Sequence, residues 1–385
     1  MATILFVGHE ASRTGAPFTQ LHLVNWIRTN TTHEVIVALM WGGDLVPEFA
    51  KVAEVHVMDP GIVPKSIRER ALSKLDRMTQ YRRKQIFQRI ASRKPHLVFG
   101  NSAMSLPLSV EFKAVLNVPL VFNVHELENT FFFFSKDNFA RDSAHIDYLV
   151  SGSVAVKEYM QSFCLTPKER IKVVYDFIES EPQGKTTAEE IRRLHQIPAS
   201  APLVGAIGSL VWRKGADIFV QVARTILETA PDTYFIWVGG SPDSYQYKEM
   251  ARDIRLMGLG HRVLFVGGKS DLKGYYEAFD VFLLTSREDP FPLVCLEAGL
   301  AGTPTVCFAD AGGMPEFVRA DAGVVVPYLS VPQMAAETQR LLQNPALAQQ
   351  QGLVAQQRVK EHHTIRTIGP SMYAIIEQAL TQSRI

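Results

Sequence analysis

The sequence predicts an α/β protein with two domains, each built around a mainly parallel sheet. Short runs of β-branched and aromatic residues alternate with longer segments whose apolar residues recur at helical spacing, which is the pattern of successive βα units. The chain has 385 residues, of which 46% are hydrophobic, so two domains could each bury a core. This composition excludes a disordered or collagen-like chain, and three cysteines are too few for a disulfide scaffold.

The predicted strands form two series along the chain. The first series contains Thr3–Val7, Glu34–Leu39, Glu54–Val57, Leu97–Phe99, Leu120–Val124, Tyr148–Ser151 and Ile171–Val174. The second contains Leu203–Ile207, Tyr234–Val238, Val263–Val266, Val281–Leu284, Thr305–Phe308 and Gly323–Val325. A segment rich in Glu, Pro, Gly and Thr, Asp176–Thr187, separates the two series and is interpreted as a linker.

We therefore expect a first domain at residues 1–178 and a second at residues 179–365. A C-terminal helix at residues 366–385 is expected to pack back toward the first domain. The first residues lack the basic flank and long apolar core of a signal sequence, and no run of 18 apolar residues predicts a membrane span. These features predict a cytoplasmic protein.

Ligands of parallel α/β domains bind at the carboxyl ends of the strands, so we expect the chemistry in a cleft between the two domains. The loop after the first strand contains Gly15 and Ala16 at the start of a helical pattern, and such a turn can bind an anion through its amides. An ordinary βα turn fits these residues equally well. The glycine fingerprints of dinucleotide-binding oxidoreductases and P-loop ATPases are absent from this loop.

Two adjacent cations, Arg213 and Lys214, follow the first strand of the second series. Arg can hold phosphate oxygens in bidentate fashion and Lys can neutralise them as a point charge, so the pair indicates a phosphate site. The alternative is that both side chains are simply solvated.

The most informative segment, Thr285–Gly299, follows the strand Val281–Leu284. Asp289 and Glu297 are eight residues apart in it, and Pro292 is typical of a helix start. The free first-turn amides of Leu293 and Val294 would lie between the two carboxylates, near the positive end of the helix dipole. This arrangement suits a nucleotide sugar, whose diphosphate would bind the amides and whose hydroxyls would bind the carboxylates. Alternatively, Asp289 caps the helix and Glu297 is paired internally.

The sequence Ser286-Arg287-Glu288-Asp289-Pro290-Phe291-Pro292-Leu293-Val294-Cys295-Leu296-Glu297-Ala298 resembles the hallmark of glycosyltransferase family 4, in which two glutamates are separated by seven residues. Supporting matches occur in order along nearly the whole chain. They are Gly15-Ala16, Asn123-Val124-His125-Glu126, Val173-Val174-Tyr175, Arg213-Lys214-Gly215, Gly312-Gly313-Met314-Pro315-Glu316 and Ala322-Gly323-Val324-Val325-Val326-Pro327. The resemblance implies a GT-B fold, with two Rossmann-like α/β domains whose parallel sheets face each other across a cleft.

The resemblance also implies a role for each matching residue. Glu297 would hold the donor ribose, and Asp289 would hold hydroxyls of the transferred sugar. His125 would contact that sugar and the reacting centre, which makes His125 and Asp289 the expected catalytic residues. The expected donor-binding residues are Gly15, Ala16, Arg213, Lys214, Phe291, Leu293, Val294 and Glu297. Outside this context, a lone histidine such as His125 is more simply a satisfied structural residue.

Three departures from the family pattern affect these assignments. The first acidic residue is Asp289 rather than Glu, and Glu288 beside it could take its place. Pro290 and Pro292 stand where glycines are expected, and proline has no N–H to offer a phosphate. Ser209 occupies a position where many members have Arg, and we expect Arg213 to supply the missing charge.

The expected reaction is transfer of a sugar, with retention of configuration, from a nucleoside-diphosphate sugar to a glycan or lipid-linked acceptor in cell-surface polysaccharide or glycoconjugate synthesis. Cations and helix-end amides can stabilise the departing diphosphate, and an Asp-x-Asp motif is lacking, so we expect no metal and no other cofactor. Nucleic acid is not an expected partner. The alternatives are a GT-B sugar-nucleotide epimerase and a non-catalytic sugar-nucleotide-binding or scaffold protein.

A near-neutral total charge of +1 conceals one strongly basic segment, Lys65–Lys94, which has eleven cations and two acidic residues. Its apolar residues recur at helical spacing, so it is an ordinary surface helix or a basic amphipathic one that docks on anionic lipid. Arg82, Arg83 and Lys84 are candidate acceptor or membrane contacts. Phe132 and Phe133, within a run of four phenylalanines, are further candidates. Peripheral attachment to the inner face of the membrane would follow from such contacts.

Overall fold

The structure is a computed structural model that describes residues 1–59, 83–179, 181 and 184–382. The chain forms two compact units. The first unit consists of Met1–Asp176 and Ile365–Ile385, and the second consists of Phe177–Thr364. Each unit contains one parallel sheet.

All strands predicted from the sequence are confirmed, with ends that differ by at most two residues. In the first unit they are β1 (Thr3–Gly8), β2 (Glu34–Trp41), β3 (Glu54–Asp59), β4 (Leu97–Asn101), β5 (Leu120–Val124), β6 (Tyr148–Ser151) and β7 (Ile171–Val173). In the second they are β8 (Leu203–Ile207), β9 (Tyr234–Val238), β10 (Val263–Phe265), β11 (Val281–Leu284), β12 (Thr305–Phe308) and β13 (Gly323–Val326). The strands β1, β4, β5 and β11 are buried along their whole length, as parallel strands covered on both faces require.

The order of the strands determines where each unit can hold a ligand. The first sheet has the order β3-β2-β1-β4-β5-β6-β7 and the second has the order β10-β9-β8-β11-β12-β13. The winding direction reverses between β1 and β4 in the first sheet, and between β8 and β11 in the second. Crevices at the carboxyl ends of such strand pairs are where doubly wound folds bind ligands. The loops after β1, β4, β8 and β11 are therefore the ones to examine.

The helices connect the strands and cover both faces of the sheets. Those of the first unit are α1 (Gly15–Asn30), α2 (Val46–Val52), α3 (described over 83–92), α4 (Leu106–Leu116), α5 (Lys136–Ser143), α6 (Val154–Gln161) and the last helix, α15 (Ile365–Gln382). Those of the second are α7 (Ala188–Leu194), α8 (Ala216–Leu227), α9 (Tyr245–Leu256), α10 (Lys273–Ala278), α11 (Leu293–Leu300), α12 (Met314–Val318), α13 (Val331–Gln343) and α14 (Pro345–His362). In α8 the residues at helical spacing are buried against the sheet, as an amphipathic surface helix requires.

The last helix, α15, belongs to the first unit and packs against α1. Tyr373 lies 5.9 Å from Trp26 between ring centroids, and His33 Nε2 is 2.9 Å from both the Tyr373 hydroxyl and a Glu377 carboxylate oxygen. Gly369 faces Trp26 so closely that a Cβ there would come within 2.6 Å of the indole ring. The close approach of α15 to α1 thus depends on the absence of a side chain at residue 369.

The unit boundaries fall slightly earlier than residues 178 and 365. Asp176, predicted as the start of the linker, is instead only 6% exposed and bonded to His125 within the first unit. Ile178 N–H donates to the His363 carbonyl, which joins this stretch to the second unit. The linker prediction was therefore wrong at Asp176, because composition does not reveal a long-range side-chain contact.

Most of the basic segment Lys65–Lys94, including Arg82, lies outside the described residues. Within the described part, Arg83 and Lys84 are on α3 and Phe87 stacks on Phe112 of α4. Several cations here have acidic partners: Arg83 with Glu111, Arg89 with Glu54, and Arg93 with Glu34 and Glu54. This part of the segment is thus a surface helix whose charge is partly neutralised by neighbouring elements.

The helices of the described ranges were also compared with the dimensions of a bilayer. Across residues 1–59, 83–179, 181 and 184–382, no helix has both the length and the apolar character needed to cross a membrane.

Candidate functional site

The loops after β8 and β11 are joined to each other in the second unit. A short 3₁₀ turn, Trp212–Lys214, ends at Gly215, where φ is +67° and a Cβ would lie 2.0 Å from the Thr285 carbonyl oxygen. Only glycine fits this left-handed and crowded position. The Arg287 N–H donates to the Arg213 carbonyl at 2.7 Å, so the backbone holds the two predicted motifs side by side.

Asp289 lies at the centre of this joint and is paired with both predicted phosphate-binding cations. Its Oδ2 is 2.5 Å from Lys214 Nζ and accepts a 3.0 Å hydrogen bond from the Ser286 hydroxyl. Its Oδ1 is 3.5 Å from Arg213 Nη1. Burial raises the pKa of Asp289, but the two cations and these hydrogen bonds lower it by more, and its net pKa lies below the usual range. The carboxylate is therefore ionised and forms a buried cluster with the cations.

The structure contradicts the alternative in which Asp289 caps α11, and its role toward sugar hydroxyls stays a prediction. The N-cap of α11 is Pro292, and no side chain caps the helix, so Asp289 is not a cap. Pro292 itself precedes the first turn rather than lying in it. The carboxylate that the resemblance assigns to sugar hydroxyls faces Lys214 and Arg213. Glu288 is half-buried, and its carbonyl accepts from Arg213 at 3.3 Å.

The start of α11 presents backbone donors beside this cluster. Leu293 and Val294 are its first two residues, both half-buried, and their N–H groups precede the first intrahelical hydrogen bonds. The positive end of the helix dipole lies at the same place and favours an anion. Phe291 is buried, with its ring 5.4 Å from that of His363, so it supports the turn through packing.

Glu297, on the second turn of α11, has a partner that the sequence did not predict. The hydroxyl of Tyr276, on α10, donates to Glu297 Oε2 at 2.5 Å. Burial, together with the negative charge of Glu297, raises the pKa of Tyr276 well above its ordinary value, so the phenol keeps its proton. The hydrogen bond orients the carboxylate of Glu297. No motif surrounds Tyr276, and only the tertiary structure brings it to Glu297.

Arg287 supports the same loop from its outer side. Its guanidinium makes two hydrogen bonds to Asp217, at 2.9 and 2.7 Å, and lies 5.1 Å from the Trp212 ring centroid. Bidentate pairs of this kind fix both partners in orientation. Arg287 is thereby committed to the loop rather than to a ligand, and Trp212 remains 63% exposed.

In the first unit, the predicted turn after β1 leads directly into α1. Gly15 is exposed and Ala16 half-buried, and they are the first two residues of the helix. The N-cap, Thr14, makes no side-chain capping bond. Asn101, the last residue of β4, donates from Nδ2 to the Ala16 carbonyl at 3.0 Å. The turn is thus tied to the neighbouring strand at the point where the winding of the sheet reverses.

His125, just after β5, is buried and has a partner at each ring nitrogen. Its side chain is 9% exposed, and Nδ1 lies 3.0 and 3.1 Å from the two carboxylate oxygens of Asp176. Nε2 lies 2.8 Å from Asn101 Oδ1 and 3.0 Å from Asn123 Nδ2. Burial lowers the pKa of His125, but Asp176 and Glu126 raise it by more, so its net pKa is above the ordinary value.

Sequence reasoning found His125 but missed Asp176 and Asn101. Asn101 is the last residue of β4, and Asp176 lies three residues beyond the end of β7. Their position at the carboxyl ends of strands could have indicated that both are site residues. Gly152 makes room for Asp176, because a Cβ there would come within 2.5 Å of Oδ2. Glu126 accepts the His125 backbone N–H at 2.9 Å and the Ser102 hydroxyl at 2.5 Å.

The four consecutive phenylalanines divide into two inward-facing and two outward-facing side chains. Phe131 and Phe134 join an aromatic cluster with Phe139 in which ring centroids are 5.3–6.4 Å apart. Phe132 and Phe133 are 65% and 88% exposed. The inner pair packs in the aromatic cluster, and the outer pair presents two exposed apolar rings.

Metal-binding side chains were sought in the same way. Among the residues that the structure describes, no group of three or more His, Cys, Asp and Glu side chains has the arrangement of a metal site.

The second unit is similar to known proteins. Residues 187–358 match the family model for glycosyl transferases group 1. LpsD, a lipopolysaccharide core biosynthesis glycosyltransferase of Rhizobium meliloti, is 28% identical over 195 residues, which cover 48% of this chain and 54% of LpsD. The D-inositol 3-phosphate glycosyltransferase of Corynebacterium diphtheriae is 30% identical over 180 residues, covering 45% and 42% of the two chains. The matches span about half the length of these relatives.

Solved structures match the fold of nearly the whole chain. HepE of Anabaena, solved with UDP-glucose, has a TM-score of 0.81 at 20% identity, over 98% of this chain and 100% of HepE. Sucrose-phosphate synthase of Thermosynechococcus elongatus has a TM-score of 0.79 at 19% identity, over 99% and 100%. At these identities the likeness concerns the fold, and it confirms the predicted GT-B class. The family match covers residues 187–358, less than half of the chain, so the second unit is similar to the glycosyl transferases group 1 family.

Proposed function

We propose that the chain is a retaining glycosyltransferase that moves a sugar from a nucleoside-diphosphate sugar to a glycan or lipid-linked acceptor. One observation carries the proposal: the buried cluster of Asp289, Lys214 and Arg213 lies on the loops at the strand reversal of the second sheet, next to the free amides of α11. Cations beside a helix N-terminus form a binding site for phosphate. Glu297, held by Tyr276, supplies an acceptor for ribose hydroxyls.

The most informative donors to test first are UDP-sugars. HepE, which shares the fold, was solved with UDP-glucose, and LpsD acts in lipopolysaccharide core biosynthesis. We propose a comparable place for this chain in cell-surface polysaccharide or glycoconjugate synthesis.

The proposed mechanism follows from the charge that develops in the reaction. Glycosyl transfer passes through an oxocarbenium-like state while negative charge grows on the departing diphosphate. Lys214 is already desolvated and held by Asp289, so it requires little reorganisation to donate to a phosphate oxygen. Preorganised donors of this kind contribute several kcal/mol to a transition state. Arg213, with a side chain 32% exposed, supplies the second charge. We propose that no metal is required.

The first experiment follows UDP release from UDP-glucose, with and without a panel of glycan and lipid-linked acceptors, in the presence of EDTA. We expect acceptor-stimulated release that EDTA does not abolish. Loss of all release that Mg²⁺ or Mn²⁺ restores would contradict the metal-independent mechanism.

The two alternatives give different products in the same assay. An epimerase converts the donor without any acceptor, and a scaffold binds UDP-glucose without turnover against every acceptor. Either result would replace the proposed function.

The exposed Phe132 and Phe133 support a second element of the proposal, contact with an anionic membrane or a lipid-linked acceptor. Aromatic rings at an interface add apolar burial, and nearby cations add about 1 kcal/mol each near anionic lipid. We expect the chain to co-sediment with anionic vesicles more than with neutral ones at low salt, and Phe132→Ser/Phe133→Ser to reduce this binding. Equal sedimentation with both vesicle types would remove the membrane element.

Tyr276→Phe tests the ribose-binding role of Glu297. Because the variant removes one hydrogen bond that orients the carboxylate, we expect UDP to bind roughly 3–10-fold more weakly by calorimetry. Tyr275→Phe is the matched control, since the neighbouring hydroxyl bonds His195, at 3.0 Å, rather than Glu297. Equal effects of the two variants would show that Tyr276 acts only through stability.

Lys214→Met separates the structural and the catalytic roles of the Asp289 cluster. It leaves a buried carboxylate with a weaker set of partners, so we expect a loss of roughly 1–3 kcal/mol in the free energy of unfolding. Adding Asp289→Asn removes that uncompensated charge and is expected to restore much of the stability, but not UDP binding. If the double variant recovers both, Lys214 does not bind the diphosphate.

A further inference from the structure

The first unit contains a buried series of polar contacts from the turn at Gly15 to Asp176, the last residue of that unit's first segment. We propose that Asp176 and Asn101 hold His125 as a fixed imidazolium and that this charged series of contacts positions the Gly15–Ala16 turn. The proposal rests on the proposed function and deepens it. Asp176 and Asn101 become positioning residues for donor binding, and His125 becomes a fixed charge rather than a proton donor or acceptor.

The Ala16 carbonyl can only accept a hydrogen bond. Asn101 must therefore present its Nδ2 to this oxygen, and the 3.0 Å contact shows that it does. The orientation of the amide is then settled, and Oδ1 faces His125 Nε2 at 2.8 Å. Because Oδ1 can only accept, a hydrogen bond at this distance requires a proton on Nε2.

The same reasoning applies to the other ring nitrogen. Nδ1 lies 3.0–3.1 Å from the carboxylate oxygens of Asp176, which accept when ionised. Nδ1 therefore also carries a proton. A ring protonated at both nitrogens is an imidazolium, and its positive charge is balanced by the buried carboxylate 3.0 Å away.

The remaining neighbour, Asn123, accepts the Nε2 proton only with its amide rotated by half a turn, because in the structure its Nδ2 faces Nε2. Its Nδ2 lies 3.0 Å from Nε2 and 3.3 Å from Asn101 Oδ1, while its own Oδ1 is buried and has no donor among the described residues. Rotating this amide by half a turn would offer that oxygen to the Nε2 proton. A neutral ring protonated at Nδ1 would instead place the lone pairs of Nε2 and Asn101 Oδ1 against each other at 2.8 Å. A neutral ring protonated at Nε2 would place the Nδ1 lone pair 3.0 Å from the Asp176 carboxylate.

The charged groups around the ring favour its protonated form. Besides Asp176, Glu126 lies against it and accepts the His125 backbone N–H at 2.9 Å. His9, on the loop after β1, is electrostatically coupled to His125, Glu126 and Glu10; burial outweighs the two carboxylates and lowers the pKa of His9. Two carboxylates therefore face the imidazolium, while the neighbouring histidine is disfavoured as a second cation.

These contacts affect function through the Ala16 carbonyl at the start of α1. The Ala16 carbonyl accepts from Asn101 Nδ2 and from the Thr19 hydroxyl at 2.9 Å, which holds the first turn of α1 in one orientation. The amides of Gly15 and Ala16, which the family resemblance assigns to donor binding, are held in place by the same contacts. With both ring nitrogens occupied, His125 acts through its charge and its hold on Asn101.

The first test measures protonation of His125 directly, by ¹⁵N nuclear magnetic resonance of the histidine rings in the full-length chain, with His125→Gln identifying the signal. We expect both nitrogens to be protonated at pH 7. We expect Asp176→Asn to shift the titration of His125 to lower pH, because it removes the charge and keeps the shape. Asp147→Asn is the control, since Asp147 pairs with Lys113 at the opposite end of the same sheet.

The second test separates the two ends of the series with Asn101→Asp. This side chain still accepts from His125 but cannot donate to Ala16, so we expect UDP to bind roughly 3–10-fold more weakly. The His125 titration should move to higher pH in the same variant. Gly152→Ala, which crowds Asp176, should lower that titration without altering any group in the series.

A neutral His125 at pH 7 in the wild-type chain would overturn the proposal, as would equal shifts in Asp176→Asn and Asp147→Asn. Unchanged UDP affinity in Asn101→Asp would overturn the positioning role. If the wild-type chain binds no UDP-sugar or UDP, the proposed function fails and the positioning role fails with it. The resonance measurement still decides the charge on His125 in that case.

Discussion

The organisation of the site in the second unit depends on the ion pairs of the buried Asp289 carboxylate with Lys214 and Arg213. A carboxylate that is 5% exposed is tolerable only with cations and hydrogen bonds close by. Lys214 and Arg213 fulfil this need from the loop after β8, and Ser286 does so from the loop after β11. The ion cluster and the backbone contact of Arg287 thereby join the two loops that border the strand reversal. Stability and ligand recognition use the same groups there.

The first unit also contains a buried ion pair, formed by His125 and Asp176. His125 has buried partners at both nitrogens, which is what a structural histidine would show, and yet it lies in the sequence context that the family resemblance associates with the donor sugar. The two descriptions are compatible if the ring serves as a fixed charge. A satisfied histidine can then contribute to function without exchanging a proton with the substrate.

The strands could be predicted from sequence because most are short apolar runs with buried residues, a pattern that depends only on local composition. The loops that carry the site were predictable for the same reason, since parallel topology places them at the carboxyl ends of strands. The partners of the site residues were not. Tyr276 and Glu297 are 21 residues apart, His125 and Asp176 are 51 apart, and Lys214 and Asp289 are 75 apart. Only tertiary structure brings these pairs together.

The charge that the basic segment presents at the surface could not be predicted from the sequence alone. The basic segment was interpreted from its own composition, but Arg83 on α3 pairs with Glu111 on α4, and such neutralisation cannot be seen when charges are counted along the sequence.

The central claim, that the Asp289 cluster and the start of α11 bind a nucleoside diphosphate, is tested most directly by a crystal structure with UDP. We expect the diphosphate at Lys214 and the amides of Leu293 and Val294, with the ribose hydroxyls on Glu297. UDP bound away from these groups, with the Lys214–Asp289 pair unchanged, would contradict the claim.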